Sequence, residues 1–139
     1  ATMGISVPGA IGAKLVHPEK KILAVCGDGG FMMNCQEFET ALRAKTPFVT
    51  LVFNDSSYGL IKWKQMDQYG KSCCVDFTNP DFVKFAESMG AIGYRITKAE
   101  DLVPTLKKAF EQNVPVIIDC PVDYAEKLTA HLKELMEKL

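Results

Sequence analysis

The sequence predicts an α/β fold in three layers, α/β/α, with helices on both faces of a mostly parallel sheet. Three apolar runs rich in β-branched residues, at 22–26, 48–53 and 116–120, read as buried strands. Helical patterns of roughly 10 to 15 residues separate them, which is the alternation of βαβ units. Two runs end in loops of glycine, aspartate, asparagine and serine, at 27–30 and 54–59. Those loops fall where parallel sheets bind ligands, outside the carboxyl ends of the strands.

Taken in order, the first strand stops abruptly at Gly27. From Asn34 or Cys35 to Ala44, Phe38, Ala41 and Leu42 share one side of a helix while Glu37, Glu39 and Arg43 share the other. After the second strand, Asn79-Pro80-Asp81 predicts a helix start, with Asn79 as the cap and Pro80 in the first helical position. That helix runs to Met89 and ends at Gly90. A weaker strand surrounds 94–96, and a helix over 99–112 leads into the strand at 116–120. Residues 124–139 form a last helix, with Leu128, Leu132, Leu135 and Leu139 as its apolar stripe. Residues 1–139 therefore read as a single domain, without internal repeat or low-complexity linker. Its opening, Ala-Thr-Met-Gly, lacks an initiator methionine, so the chain is expected to be one domain of a longer protein.

Composition narrows the partners. A net charge of −1 argues against nucleic acid or an anionic membrane. No apolar run approaches the ~20 residues of a membrane span, and no signal-peptide pattern is present. The five cysteines include the adjacent pair Cys73 and Cys74 but no C-x-x-C spacing, so reduced thiols in a cytoplasmic setting are expected. His17 and His131 lack the neighbours for a catalytic triad or a metal site and read as solvated. Lys62, Lys64 and Lys71, near Trp63 and Tyr69, read as a solvated face rather than a nucleic-acid patch.

The stretch VCGDGGFMMN poses the functional question, because it places one carboxylate, Asp28, among three glycines. Glycines after a strand let backbone N–H groups approach an anion, and the following helix adds its positive end. Asp28 would repel a phosphate unless a divalent cation lay between them, and magnesium commonly bridges a protein carboxylate to phosphate oxygens. A second carboxylate, Asp55, arrives one βαβ crossover later in Asn54-Asp55-Ser56-Ser57. The pair of loops thus has the makings of a metal–diphosphate site. Ordinary turn chemistry also produces Asp-Gly and Asn-Asp-Ser, and spacing alone leaves both readings open.

GDG followed, after a crossover, by a strand ending in Asn-Asn or Asn-Asp resembles the signature of thiamine-diphosphate enzymes; here it reads GDGGFMMNCQEFETALRAKTPFVTLVFND. The opening ATMGISVPGAIGAKLVHPEKKILAVCGDGGF, together with NPDFVKFAESMGAIGYRI and PVIIDCPVDY, is similar to the C-terminal cofactor-binding domain of the acetolactate synthase group. Aspartate at 55, where most relatives have a second asparagine, resembles the catabolic branch. The resemblance implies the thiamine-diphosphate-binding fold, thiamine diphosphate and Mg2+ as cofactors, and pyruvate or a related 2-keto acid as substrate; FAD is left open. It implies side-chain metal ligands at Asp28 and Asp55 and a backbone carbonyl ligand at Ser57. Gly29, Gly30 and Ser57 or Tyr58 would hold the diphosphate, and Asn54 would order the loop. With Thr2 beside it, Met3 would prop the cofactor into its bent form, although a core methionine is the alternative. Leu60, Ile61 and Trp63 would lie on a helix at the site mouth or simply pack. No catalytic residue is implied in this chain, since the activating glutamate is expected in another domain. The resemblance further implies a homodimer or homotetramer.

Overall fold

The computed structural model describes residues 2–124. Among these residues, β1 (Leu23–Gly27), β2 (Val49–Asn54), β3 (Ile92–Arg95) and β4 (Val116–Pro121) form one sheet in the order β1-β2-β4-β3. Every pairing is parallel. The helices are α1 (Ser6–Val16), α2 (Asp28–Met32), α3 (Glu37–Arg43), α4 (Gly59–Tyr69), α5 (Phe82–Ser88) and α6 (Leu102–Ala109).

Alternation along the strands builds two cores. On one face Ala24, Val52 and Ile117 meet Val7, Ala10 and Ile11 of α1, Phe38 and Ala41 of α3, and Phe82 and Ala86 of α5. On the other, Val49, Leu51, Val116 and Ile118 meet Leu102, Leu106 and Ala109 of α6. The expected α/β/α layering therefore holds.

Phe31 of α2 is the wedge that fixes the end of β1. It packs edge-on against Phe38, Phe82 and Phe85 with ring centroids 5.8, 5.3 and 5.9 Å away. Buried aromatic pairs of this geometry favour one orientation. The segment that carries Asp28 is held from its far side.

Several boundaries differ from expectation. β1 is an edge strand, and Leu23 and Val25 are exposed on it rather than buried. Residues 28–32 form a single helical turn in place of a glycine loop. Helix α3 begins only at Glu37, because residues 33–36 form turns closed by Glu37 N–H on the Asn34 carbonyl. The stretch at 99–112 divides into a 3₁₀ turn, Ala99–Asp101, and the shorter α6. Asp81, not Asn79, caps α5 by accepting the N–H groups of Val83 and Lys84, so Pro80 lies outside the helix. The sequence reading assigned no element to α1, whose two glycines and a proline weaken helix propensity. The helix expected over 124–139 lies outside the described residues, apart from Tyr124, which is in no helix.

Candidate functional site

The register brings the two loops side by side: Gly27 at the end of β1 pairs with Phe53 of β2, one residue before Asn54. Asp28 is 1% exposed. Its Oδ1 accepts the Gly29 N–H at 2.8 Å. Its Oδ2 accepts the Ser56 N–H at 2.7 Å and the Asn79 side-chain amide at 2.6 Å. Ser56 reaches it from the left-handed region, φ 54°, a conformation that a serine keeps only when neighbours hold it. The neighbour here is Phe77, whose N–H donates to the Ser56 carbonyl at 3.0 Å.

Asn79 begins a polar chain across all the strand ends. Its amide also donates to Asn54 Oδ1 at 3.0 Å, and Asn54 Nδ2 donates to Asp119 Oδ1 at 3.0 Å. Arg95 then donates from Nε to Asp119 Oδ2 at 2.9 Å and from Nη2 to Asp81 Oδ1 at 3.1 Å. Asp119 is 1% exposed, and its charge is compensated by a half-exposed guanidinium and the half-buried amide of Asn54.

Around this centre, Asp55 accepts the Ser57 N–H at 3.2 Å and the Ser57 hydroxyl at 3.1 Å. A Cβ at Gly59 would stand 2.7 Å from Asp55 Oδ2, so a side chain there would displace that carboxylate. Tyr58 closes over Gly29, where a Cβ would lie 2.6 Å from the ring, whereas at Gly30 a Cβ would meet only open space. The negative field is felt nearby. Burial, then the charges of Asp55, Cys120 and Asp28, push the Tyr124 phenol up. Burial pushes the Cys26 thiol up to about 11; the Asp28 charge adds and a Ser6 hydrogen bond opposes.

Chemically, this site suits a divalent cation. Asp28 is a buried carboxylate whose bonded donors are all neutral, and among the described residues no cationic side chain pairs with it. Asn79 Oδ1 beside it is buried with no partner among the described residues. Asp28 and Asp55, on adjoining strand-end loops, could offer carboxylate oxygens, the donor type that magnesium prefers. The side of α2 where a Gly30 Cβ would stand is open.

Of the residues singled out from sequence, Asp28, Asn54 and the 55–58 loop are brought together, with Gly29 beneath Tyr58. Thr2 and Met3 are exposed, Met3 at 45%, in a turn whose Gly4 carbonyl accepts from Asn34 at 2.9 Å. That tie runs to Asn34, not to the Asp28 carboxylate. Leu60 and Ile61 lie exposed on α4, and the buried Nε1 of Trp63 has no partner among the described residues. Asn79, Asp119 and Arg95 escaped the sequence reading. Asn79 sits next to Pro80 and mimics a cap; the signal for Asp119 was a carboxylate inside the apolar run VIIDC.

Comparison with known proteins agrees. Residues 1–120 match the family described as thiamine pyrophosphate enzyme, C-terminal TPP binding domain. The chain is 45% identical to an acetolactate synthase of Bacillus subtilis over 91% of its length and 22% of the relative's. It is 38% identical to a catabolic acetolactate synthase of Raoultella terrigena, covering 90% of this chain and 22% of that one. A pyruvate oxidase of Lactiplantibacillus plantarum is 37% identical over 88% of this chain and 21% of its own. The chain thus spans about a fifth of the curated relatives it matches. A thiamine diphosphate-dependent 4-hydroxybenzoylformate decarboxylase of Rhodococcus jostii superposes with a TM-score of 0.82 at 27% identity, over 90% of this chain and 24% of that one. With most of its length matched and its strand-end loops built as described, the chain belongs to the thiamine pyrophosphate enzyme family, as a C-terminal TPP binding domain.

Proposed function

We propose that this chain is the diphosphate- and magnesium-holding domain of a longer acetolactate synthase, which decarboxylates pyruvate and joins it to a second pyruvate to give 2-acetolactate. The observation that carries the reading is the buried carboxylate of Asp28, bonded only to neutral donors and gripped by the loop that follows β2. Identity to acetolactate synthases supports the reaction.

In this reading Asp28 and Asp55 hold Mg2+ with the Ser57 carbonyl, while Gly29, Gly30, Ser57 and Tyr58 line the diphosphate. Asn54 orders the loop through Asp119. Thr2 and Met3 border the cofactor on the α1 side. When bound, thiamine diphosphate supplies the electron sink for decarboxylation and carbon–carbon ligation. The chain's own residues bind and orient it; proton activation falls to a glutamate of another domain. A dimer or tetramer in the cytoplasm fits this reading. Among the described residues no helix is long and apolar enough to cross a membrane.

Thermal melting tests the site. A ligand at 100 times its Kd adds roughly 2.7 kcal/mol, which is several degrees for a domain of this size. The rise is expected to need Mg2+ and thiamine diphosphate together and to vanish in Asp28→Ala. An undiminished rise in Asp28→Ala rejects the site. A second reading, another thiamine-diphosphate-dependent 2-keto-acid decarboxylase or carboligase, is favoured by the structural likeness to the Rhodococcus decarboxylase, and identity to the Lactiplantibacillus pyruvate oxidase adds an oxidase to it. Products formed from pyruvate by the full-length protein decide between them, acetolactate for the first reading and acetaldehyde or acetyl phosphate for the second.

A further inference from the structure

We propose that Cys73 and Cys74 form a two-thiol site that takes up a monosubstituted trivalent arsenical, and that its occupancy is felt by the metal loop. The thiols are exposed, with Sγ···Sγ 3.2 Å. Gln65 of α4 fixes the first of them at both backbone ends: its Oε1 accepts the Cys73 N–H at 2.9 Å and its Nε2 donates to the Cys73 carbonyl at 3.3 Å. Cys74 is held at φ 58°, in the left-handed region. The next residue, Val75, is buried and anchors the far side. The two sulfurs are therefore presented together on a backbone pinned at both ends.

Geometry selects the ligand. Adjacent Cα atoms stand ~3.8 Å apart across a trans peptide, below the ~4.4–6.8 Å of ordinary disulfides. Direct S–S closure is therefore strained, and inserting one atom between the sulfurs relieves it. A structural zinc ion calls for four ligands, and among the described residues no group of three or more His, Cys, Asp or Glu is placed to hold a metal ion. A monosubstituted trivalent arsenic centre already carries one carbon and is satisfied by two sulfurs. Uptake is a condensation without redox change: both S–H bonds break, two As–S bonds form, and the oxygen of R–As=O leaves with both protons as water. The remaining cysteines lack an adjacent thiol, and Cys26 and Cys120 are held in strands of the sheet.

The site adjoins the cofactor loop through backbone. The Val75 carbonyl accepts the Tyr58 N–H at 2.9 Å, and the Ser57–Asp76 bridge continues to the Phe77–Ser56 bond behind Asp28. A centre clamped on the dithiol constrains that bridge.

Phenylarsine oxide is the probe, added to the full-length protein in excess monothiol and followed by intact mass. One arsenical per chain, less one water, is expected to remain until a small dithiol strips it. Cys73→Ser or Cys74→Ser alone should lower retention about 100-fold or more, the loss of a linked second contact. Cys26→Ser, Cys35→Ser and Cys120→Ser should keep it. Retention in the Cys73→Ser, Cys74→Ser double variant, or no retention while iodoacetamide still alkylates both thiols, overturns the site. The coupling, which rests on the cofactor reading, predicts that the arsenical shrinks the melting rise given by Mg2+ plus thiamine diphosphate; uptake with an unchanged rise overturns the coupling alone.

Discussion

Asn79 decides how Asp28 is aimed. Its amide is shared between Asp28 Oδ2 and Asn54 Oδ1, and removing it frees both acceptors from their common donor. Under the proposed function Asp28 is a metal ligand, and groups that orient such a ligand from behind typically contribute 10–100-fold in metal affinity. Asn79→Ala is therefore expected to weaken Mg2+ binding about 10–100-fold, measured by calorimetric titration at saturating thiamine diphosphate. Asn79→Asp should be worse, because it sets a carboxylate against the buried Asp28. Wild-type Mg2+ affinity with only a lowered Tm would make Asn79 structural. The two carboxylates were legible in the sequence because a strand followed by Gly-Asp-Gly or Asn-Asp-Ser advertises its own chemistry. Asn79 was not, since a side chain's partner is set by tertiary approach, and Asn-Pro-Asp is an equally good local helix start.

Strand existence was legible for the same kind of reason: each apolar run is long enough to state its own period. Boundaries were not. The cap of α5 moved to Asp81 because the polar chain at the strand ends claims Asn79, and the edge position of β1 is a topological fact that no local pattern carries. Helix α5 and strand β3 touch through backbone, and a Cβ on Gly93 would lie 2.5 Å from Val83 Cα and 2.7 Å from its carbonyl oxygen. Backbone yields less readily than a side chain, so Gly93→Ala is expected to cost about 1–3 kcal/mol. A lower urea midpoint at unchanged m-value would show it, and an unchanged midpoint would mean that the two elements separate freely. The Lys84 N–H holds the Asp81 carboxyl below its ordinary value, and the Arg95 charge and the Val83 N–H add to that. A depressed folded value means that this stabilisation is complete above the ordinary carboxylate pKa of about 3.9 and is lost as pH falls through the lower folded value. Asp81→Asn keeps a capping side chain without the titration. Its Tm should fall less steeply than wild type on acidification below about pH 4.

At the scale of the whole molecule, the proposed function makes the described residues the binding half of a longer catalyst. Their strand ends offer carboxylates, amides and carbonyls that bind and orient, and α4 buries none of its residues while exposing Leu60, Ile61, Met66 and Tyr69. Under the proposed function, exposed apolar side chains beside a charged site mark where another domain is expected to close, excluding water and delivering the activating glutamate. If that division is right, binding and turnover separate cleanly. The 139-residue chain should give the Mg2+-dependent melting rise, weakened by the open side, yet form no 2-acetolactate from pyruvate. The full-length protein should do both, and Asp28→Ala within it should abolish turnover. Product from the isolated chain above that of its own Asp28→Ala variant would place a proton-transfer group within these 139 residues and reject the division. A melting rise seen only in the full-length protein would instead mean that the diphosphate is gripped across the boundary between domains, with Asp28 as the fixed half of the clamp.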